Sequence, residues 1–216
     1  MTYLEIVNSV LRKLREDTVA TVSENALSQL IGSLVNITKT EVENSWKWNA
    51  LRYTTIVNTV NGTFRYVLSG SGSSPLILDV WNDTDDWRIR KANAHYLNSL
   101  FVQDNVQTGS PTLYGVNGVS TDGDLQIDLH PIPDGVYSLD FNMVLNQADL
   151  SADNDVLLVP SNVVDLGAWA LAISERGEDG GASYNEIDEK YRNALSDAIS
   201  IDASNMCSSE STWDIA

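Results

Sequence analysis

The sequence predicts an α+β fold in which helices from both chain ends flank an inserted, mostly antiparallel β region. Apolar residues recur at helical spacing in the first fifty residues and again in the last sixty. Between them, alternating β-branched and aromatic residues separated by turn residues are typical of strands. The change of pattern falls in Glu41–Leu68, EVENSWKWNALRYTTIVNTVNGTFRYVL. We therefore expect a helical bundle from 1–51 and 156–207, a β domain from 52–155 and an extended C-terminal arm from 208–216.

Charge and hydropathy limit the possible functions. The 216 residues include 13 basic and 30 acidic ones, a formal net charge of -17. Affinity for nucleic acid comes largely from Lys and Arg that neutralise phosphates, so this balance argues against a surface that grips DNA or RNA. No uncharged apolar run approaches a membrane span, and charged residues interrupt the N-terminal apolar residues as they would not in a secretory signal. We expect a soluble protein made in a cytoplasm.

Two helices are predicted before the β region. Thr2 and Glu5 form a T-x-x-E capping box, which predicts a first helix that runs to about Arg15. Ser23 is the predicted N-cap of a second, longer helix that ends at Trp46. At 1.5 Å per residue this helix would be about 35 Å long. Its apolar face needs a partner from elsewhere in the chain.

The β region opens with a predicted hairpin. Residues 52–60 and 63–68 have strand composition, and the Asn61-Gly62 pair between them is typical of a two-residue type I′ turn. SGSGSS, residues 69–74, is a predicted loop. Further strands are predicted at 76–80, 87–90, 112–117, 125–129 and 136–145, with a short helix at 93–102.

The chain then returns to helix. The segment 162–176 is apolar nearly all round, which predicts a helix buried at the centre of the bundle, where it supplies the missing partner. Gly177 is the predicted C′ cap of this helix. Ser183 and Glu186 form a second capping box, which predicts a last amphipathic helix that runs to about Met206.

The sequence contains none of the motifs that mark common active sites. Walker A, G-x-G-x-x-G, G-x-S-x-G and H-E-x-x-H patterns are all missing from it. His95, His130 and Cys207 have no zinc-site spacing, and we expect ordinary surface or core positions for them. Asp122-Gly123-Asp124 and the Asp149–Asp155 segment are rich in carboxylates but lack EF-hand spacing, so turn formation explains them more simply. We expect no catalytic residues, no metal and no cofactor.

Three features of the chain together resemble a known family. The first is a helical pair that ends in tryptophans and leads into strands, SWKWNALRYTTIVNTV. The second is the return segment NQADLSADNDVLLVPSNVVDLGAWALAISERGEDGG, and the third is a terminal helix followed by a short tail. This layout resembles the adaptor family of short-tailed bacteriophages, also called head-to-tail connectors or tubular tail protein A. The resemblance spans nearly the whole chain.

The resemblance implies a structural virion protein, not an enzyme, at the head–tail junction, assembled in the bacterial host cytoplasm. It implies a ring of about twelve copies between the portal protein and the tail nozzle protein. DNA would pass through an acidic lumen without specific binding, and no membrane would be involved. Tail fibres are a further candidate partner.

The resemblance also assigns contact segments. The tail would be the arm that binds the portal, with Trp213 as its apolar anchor. The hairpin tip and the SGSGSS loop would contact the tail or neighbouring subunits. The alternatives are plain disorder for the tail and ordinary solvent-exposed turns for the two loops. The arm consists of Ser208, Ser209, Glu210, Ser211, Thr212, Trp213, Asp214, Ile215 and Ala216, and the contact loops contribute Asn61, Gly62, Ser71, Gly72 and Ser73.

Two other functions stay open at the level of sequence. One is a different minor tail component, such as a fibre-attachment or carbohydrate-binding protein, which would be trimeric or would retain sugars through exposed aromatic residues. The other is an acidic hydrolase, which would need two carboxylates within about 10 Å in a cleft, one of them with a raised pKa.

Overall fold

The chain forms two compact units. A computed structural model describes residues 1–103, 105–177 and 182–206. The helical unit consists of Met1–Leu51 and the chain from Asn146 onward, and the β unit consists of Arg52–Leu145. The fold is α+β with a mostly antiparallel sheet, and the predicted fold class is confirmed. The helices are α1 Tyr3–Lys13, α2 Ala26–Ser45, α3 Ala94–Phe101 in the β unit, α4 Ser161–Arg176 and α5 Ala182–Asn205.

The N-terminal helices begin at side-chain caps. The Thr2 hydroxyl accepts a hydrogen bond from Glu5 N, and the Glu5 carboxylate accepts one from Thr2 N, so the first capping box is confirmed. The predicted cap of α2 is wrong by two residues. Asn25, not Ser23, caps this helix, because its side chain accepts from Ser28 N while the Ser28 hydroxyl accepts from Asn25 N.

Helix α4 is the central element of the helical unit, as its apolar sequence predicted. It packs against α1, α2 and α5. Gly167 allows this closeness, since a Cβ atom there would lie 2.5 Å from Thr38 Cγ2 and 3.0 Å from Tyr191 Cε2. Gly177 ends the helix in the left-handed conformation, with φ of 61°, so its predicted C-terminal role is confirmed.

Helices α1 and α4 run in the same direction, and α5 runs back. Ser9 and Lys13 of α1 both contact Asp165 near the start of α4. Arg176 at the end of α4 donates to the Leu14 carbonyl just beyond α1. Since α5 follows α4 in the chain and packs along it, its direction is antiparallel to both.

The chain that leaves the β unit belongs to the helical unit from Asn146 onward. The sequence pattern suggested a boundary ten residues later, after Asp155. Polar side chains of the N-terminal half hold it there. Asn36 of α2 pairs with both backbone groups of Leu150, at 2.9 and 3.0 Å. The Asp153 carboxylate accepts from Val22 N at 2.9 Å. These bonds join residues more than a hundred positions apart, which no local pattern reveals.

A buried ion pair links α2 to the same segment. The side chains of Lys39 and Glu43 are 1% and 0% exposed. Lys39 Nζ donates to the Gln147 carbonyl at 2.6 Å and contacts both oxygens of Glu43 at 3.4 Å. Burial raises the pKa of Glu43, and the neighbouring Lys39 ammonium partly offsets this effect.

The β unit is one curled sheet of seven strands in the order β1-β7-β3-β4-β5-β6-β2. Neighbouring strands are antiparallel except β4 and β5. The core includes Phe141 and Tyr114, whose rings meet edge to face with centroids 6.0 Å apart. The strands are β1 Arg52–Asn58, β2 Arg65–Val67, β3 Leu76–Asn82, β4 Trp87–Lys91, β5 Leu113–Val119, β6 Leu125–His130 and β7 Ser138–Val144.

The predicted hairpin between the first two strands is wrong. Strand β1 pairs with β7 and β2 pairs with β6, so the two strands end the sheet order on opposite sides. Gly62 has a φ of 77° whereas Asn61 does not have a positive φ, and Thr63 N donates to the Val60 carbonyl. This geometry fits a type II turn, not the type I′ turn that would pair the flanking strands.

Removal of the buried cation should destabilise the helical unit. We expect Lys39→Met to lower the free energy of unfolding by about 3–5 kcal/mol, because it leaves the buried Glu43 carboxylate without a cation to offset its desolvation. The double variant Lys39→Met/Glu43→Leu should recover most of this loss. Urea unfolding followed by circular dichroism measures both. A loss below about 1 kcal/mol in the single variant, the range of exposed ion pairs, would contradict the structural role.

Candidate interaction surfaces

The histidines do not form a catalytic arrangement. His130 is buried at the end of β6, where its ring meets Phe101 edge-on with centroids 5.9 Å apart. Burial lowers the pKa of His130, which favours the neutral imidazole. His95 lies exposed on α3. Among the residues that the structure describes, no three His, Cys, Asp or Glu side chains come together as metal ligands would.

The carboxylate-rich segments bind backbone N–H groups of their own unit. Two N–H donors, from Ser151 and Ala152, lie 2.8 Å from Asp155 Oδ2 and lower its pKa. Asp124 reaches across to the SGSGSS loop, where its two oxygens accept from Gly70 N and Gly72 N, both at 3.0 Å. The acidic turns therefore stabilise loop conformations.

Of the predicted contact residues in the SGSGSS loop, Ser71 is buried, whereas Gly72 and Ser73 are exposed. Ser71 is 7% exposed, and its hydroxyl accepts a hydrogen bond from Leu125 N at the start of β6. Gly72 N donates to Asp124, which fixes the backbone of the loop. Of the predicted contact residues in the loop, Gly72 and Ser73 are therefore the accessible ones.

The turn at Asn61 and Gly62 is exposed but anchored. Gly62 N donates to the Pro133 carbonyl at 2.8 Å, and the Tyr66 hydroxyl accepts from Val60 N at 2.9 Å. These bonds fix the tip against the connection between β6 and β7. The predicted arm, 208–216, lies outside the described residues, as does Cys207.

The helical unit carries a groove that sequence reasoning missed. It has a volume of about 420 Å³ and lies between the second half of α5, the Trp48–Ala50 turn and residues 158–162. Leu158 and Ile201 are 49% and 65% exposed at this groove, and exposed Asp197 lines it as well. The α5 residues that line it recur every three or four positions: Ala194, Asp197, Ala198, Ile201, Asp202 and Asn205. The sequence signal was present in this spacing, beside the stripe that packs on α4.

A second surface lies on the outer side of α1. Met1, Leu4, Glu5, Asn8 and Arg12 line a shallow depression there, again at helical spacing. Arg12 and the nearby Arg15 are exposed. Neither Arg12 nor Arg15 forms an ion pair with another described residue.

A family model decides the identity. The SU10 adaptor protein model matches residues 1–211, nearly the full length of the chain. The chain belongs to the SU10 adaptor protein family. The resemblance to phage adaptors is thereby confirmed, and the family assigns the chain to bacteriophage adaptors, which are structural components of the virion.

Two further findings add no detail about the partners of this virion component. A comparison with curated proteins gives no match. Within the described ranges, no helix is both long and apolar enough to cross a membrane. The contacts of this adaptor must therefore be inferred from its own surfaces.

Loss of the Asp124 carboxylate should release the loop. We expect Asp124→Ala to speed hydrogen exchange at the Gly70 and Gly72 amides and to lower the free energy of unfolding by about 1.5–3 kcal/mol, since both bonds are charge-assisted. Amide exchange measured by NMR gives the first result and urea unfolding the second. Asp122→Ala, which changes an exposed carboxylate of the same turn, is the matched control and should leave both amides protected. Equal effects of the two variants would contradict this role.

Proposed function

We propose that this protein is the head-to-tail adaptor of a bacteriophage, a ring of about twelve copies that joins the portal protein to the tail nozzle protein. The match to the SU10 adaptor family over residues 1–211 carries the proposal. The fold supports it, since the chain divides into a helical unit and a β unit, which can each contact a different neighbour. In this arrangement the helical units build the ring and the β units face the tail.

The segments assigned by resemblance have defined roles in this proposal. The arm, 208–216, binds the portal through Trp213. The anchored turn at Gly62 and the loop at Ser73 contact the nozzle, tail fibres or neighbouring copies. Fixed loops support such a role, because a loop that is already ordered loses less conformational entropy on binding. Assembly takes place in the host cytoplasm before the virion is released.

The acidity of the chain has a function in such a ring. Genomic DNA must pass without binding, and a lumen lined by carboxylates repels phosphates over about a Debye length, roughly 8–10 Å in physiological salt. With 30 acidic and 13 basic residues the chain has the charge for this. Ring formation then works against electrostatic repulsion between copies, so apolar contacts and the portal template must drive it.

The mass of the purified protein, alone and mixed with its portal protein, tests the ring. We expect a portal-bound species of about twelve copies. The C-terminal truncation before Ser208 should abolish this species while the truncated chain stays folded, because the arm is removed and the two units are kept. Native mass spectrometry distinguishes the outcomes. A stable trimer that does not respond to the portal would instead favour a fibre-attachment protein.

Charge reversal tests the acidic lumen. Exposed acids would be changed to lysine one surface at a time, for example Glu41 with Glu189 on the helical unit and Asp122 with Asp134 on the β unit. We expect one set to slow DNA ejection while virions still assemble, because the reversed lumen attracts phosphates. The matched Gln or Asn substitutions remove charge without reversing it and should have a smaller effect. Ejection kinetics unchanged in every set would contradict the lumen hypothesis.

A further inference from the structure

Strand β1 forms one open edge of the sheet in the β unit. It pairs with β7 alone, and their register continues without a shift along all of β1. Thr59 N donates to the Tyr137 carbonyl, and hydrogen-bonded residues alternate along an antiparallel ladder. The backbone N–H and C=O groups of Thr54, Ile56 and Asn58 therefore point away from β7. Among the residues that the structure describes, none forms a hydrogen bond with these groups.

Strand β2 forms the opposite edge and pairs with β6 alone. Leu68 N donates to the Leu125 carbonyl beyond one end of β2, and the Phe64 carbonyl accepts from β6 beyond the other end, so the ladder is longer than the strand. By the same alternation, the backbone groups of Arg65 and Val67 point to the open edge. No described residue bonds these groups either.

Both edges are accessible to a further strand. Strand β1 contains no proline, lysine or bulge, the features that normally keep an exposed edge from pairing, and its one charged residue, Arg52, is its first. At β2, the Arg65 guanidinium is held by its own sheet, where Nε and Nη2 lie 2.7 and 3.0 Å from the Asp128 carboxylate. Ile56 and Val67 are 62% and 39% exposed. Such edges are suited to strand addition.

The directions of the two edge strands fit a ring. Along the sheet order, neighbouring strands reverse direction at every step except from β4 to β5, so β1 and β2 run in opposite directions. If the sheets of two similarly oriented copies continue into each other, β1 of one copy meets β2 of the next in the antiparallel sense. The two edges are also different surfaces, as the heterologous interface of a closed ring requires.

We propose that β1 of one copy pairs with β2 of the next copy, which joins the sheets of the β units around the ring. The inference rests on the proposed adaptor function and adds a contact between β units to the contacts between helical units. The partner is a second copy of this chain.

The exposed side chains select the register of this contact. When Ile56 lies opposite Val67 of the next copy, Asn58 lies opposite its Arg65. These are the residues whose backbone groups are free at the two edges, and each opposed pair exchanges two hydrogen bonds, so a junction gains about four. The same register buries the exposed apolar side chain of one edge against that of the other.

Carboxylates do not oppose the contact. Strands β1 and β2 contain no Asp or Glu, although the chain has 30 acidic residues. On the flanking strands, Asp128 is already paired with Arg65. Asp140 lies beside Ile56 on β7, and its next neighbour across the junction is the apolar Val67. No two carboxylates face each other in this register, which would cost affinity.

Disulfide trapping in virions tests the pairing directly. The chain would carry Ile56→Cys, Val67→Cys and Cys207→Ser, so that the only thiols are at the proposed junction. The Cα atoms of such an opposed pair are about 5.5 Å apart, which a disulfide spans. After mild oxidation, a denaturing gel without reductant should show a ladder from dimer to the full ring. Either cysteine alone should give monomers. The matched control replaces Val67→Cys with Val119→Cys, an exposed residue of β5, and should give no ladder.

Removal of one edge donor supplies an independent readout. Ile56→Pro deletes an N–H that points to the open edge and leaves the bonds to β7 in place. We expect this variant to lower the copies incorporated per virion by at least about tenfold, because a donor is lost at every junction. Ile56→Val keeps the N–H and should be incorporated as the wild type is. Urea unfolding checks that both variants fold, and a folded Ile56→Pro chain with normal incorporation would overturn the pairing.

The outcomes separate this inference from the adaptor function. A chain missing from wild-type virions would overturn both. A chain present as a ring that yields no ladder would overturn the β1–β2 pairing and leave the adaptor function intact. An intrachain disulfide between the two introduced cysteines would also overturn the pairing, because it would show that the two edges close on each other within one copy.

Discussion

The helical unit depends on the interaction of the buried Lys39 ammonium with the acceptors around it. An ammonium group without water is costly unless acceptors surround it, and here Glu43 and the Gln147 carbonyl fill that role. One acceptor comes from α2 itself and the other from the chain after the β unit. The helical unit therefore reaches its full set of polar contacts only when both ends of the chain have come together.

These contacts between the two ends of the chain also explain how an inserted β unit is compatible with a stable helical bundle. The bonds of Asn36 with Leu150 and of Asp153 with Val22 N fix the returning segment before α4 begins. Helix α4 follows this segment and packs against α1 and α2, and Gly167 lets it approach Thr38 of α2 closely. Polar bonds and apolar packing thus both join the two ends of the chain.

The carboxylates of this acidic chain fall into two groups, those with partners within the fold and those exposed on its surface. Many of the described carboxylates have partners within the fold. Asp124 binds backbone N–H groups, Asp165 binds a lysine, and Asp202 accepts from the Trp46 indole. The exposed carboxylates leave a strongly negative surface, interrupted by exposed basic residues such as Arg12, Arg88 and Arg90.

The sequence by itself determined the elements whose signals are local. The Thr2–Glu5 capping box, the all-round apolar α4 and the left-handed Gly177 are each specified within a few residues, and so is the change from helical to strand periodicity near Trp48. The family resemblance could also be recognised from the sequence, because it rests on the order of helices and strands along the chain.

Only the tertiary structure decided which strands pair. Asn61-Gly62 favours a hairpin locally, yet β1 and β2 take distant partners, and Val57 and Tyr66 pack against a core shared by the whole sheet. Burial of apolar area on that core outweighs the preference of one turn. The groove on α5 and the inward position of Ser71 depend in the same way on atoms far away in sequence, which a local pattern cannot contain.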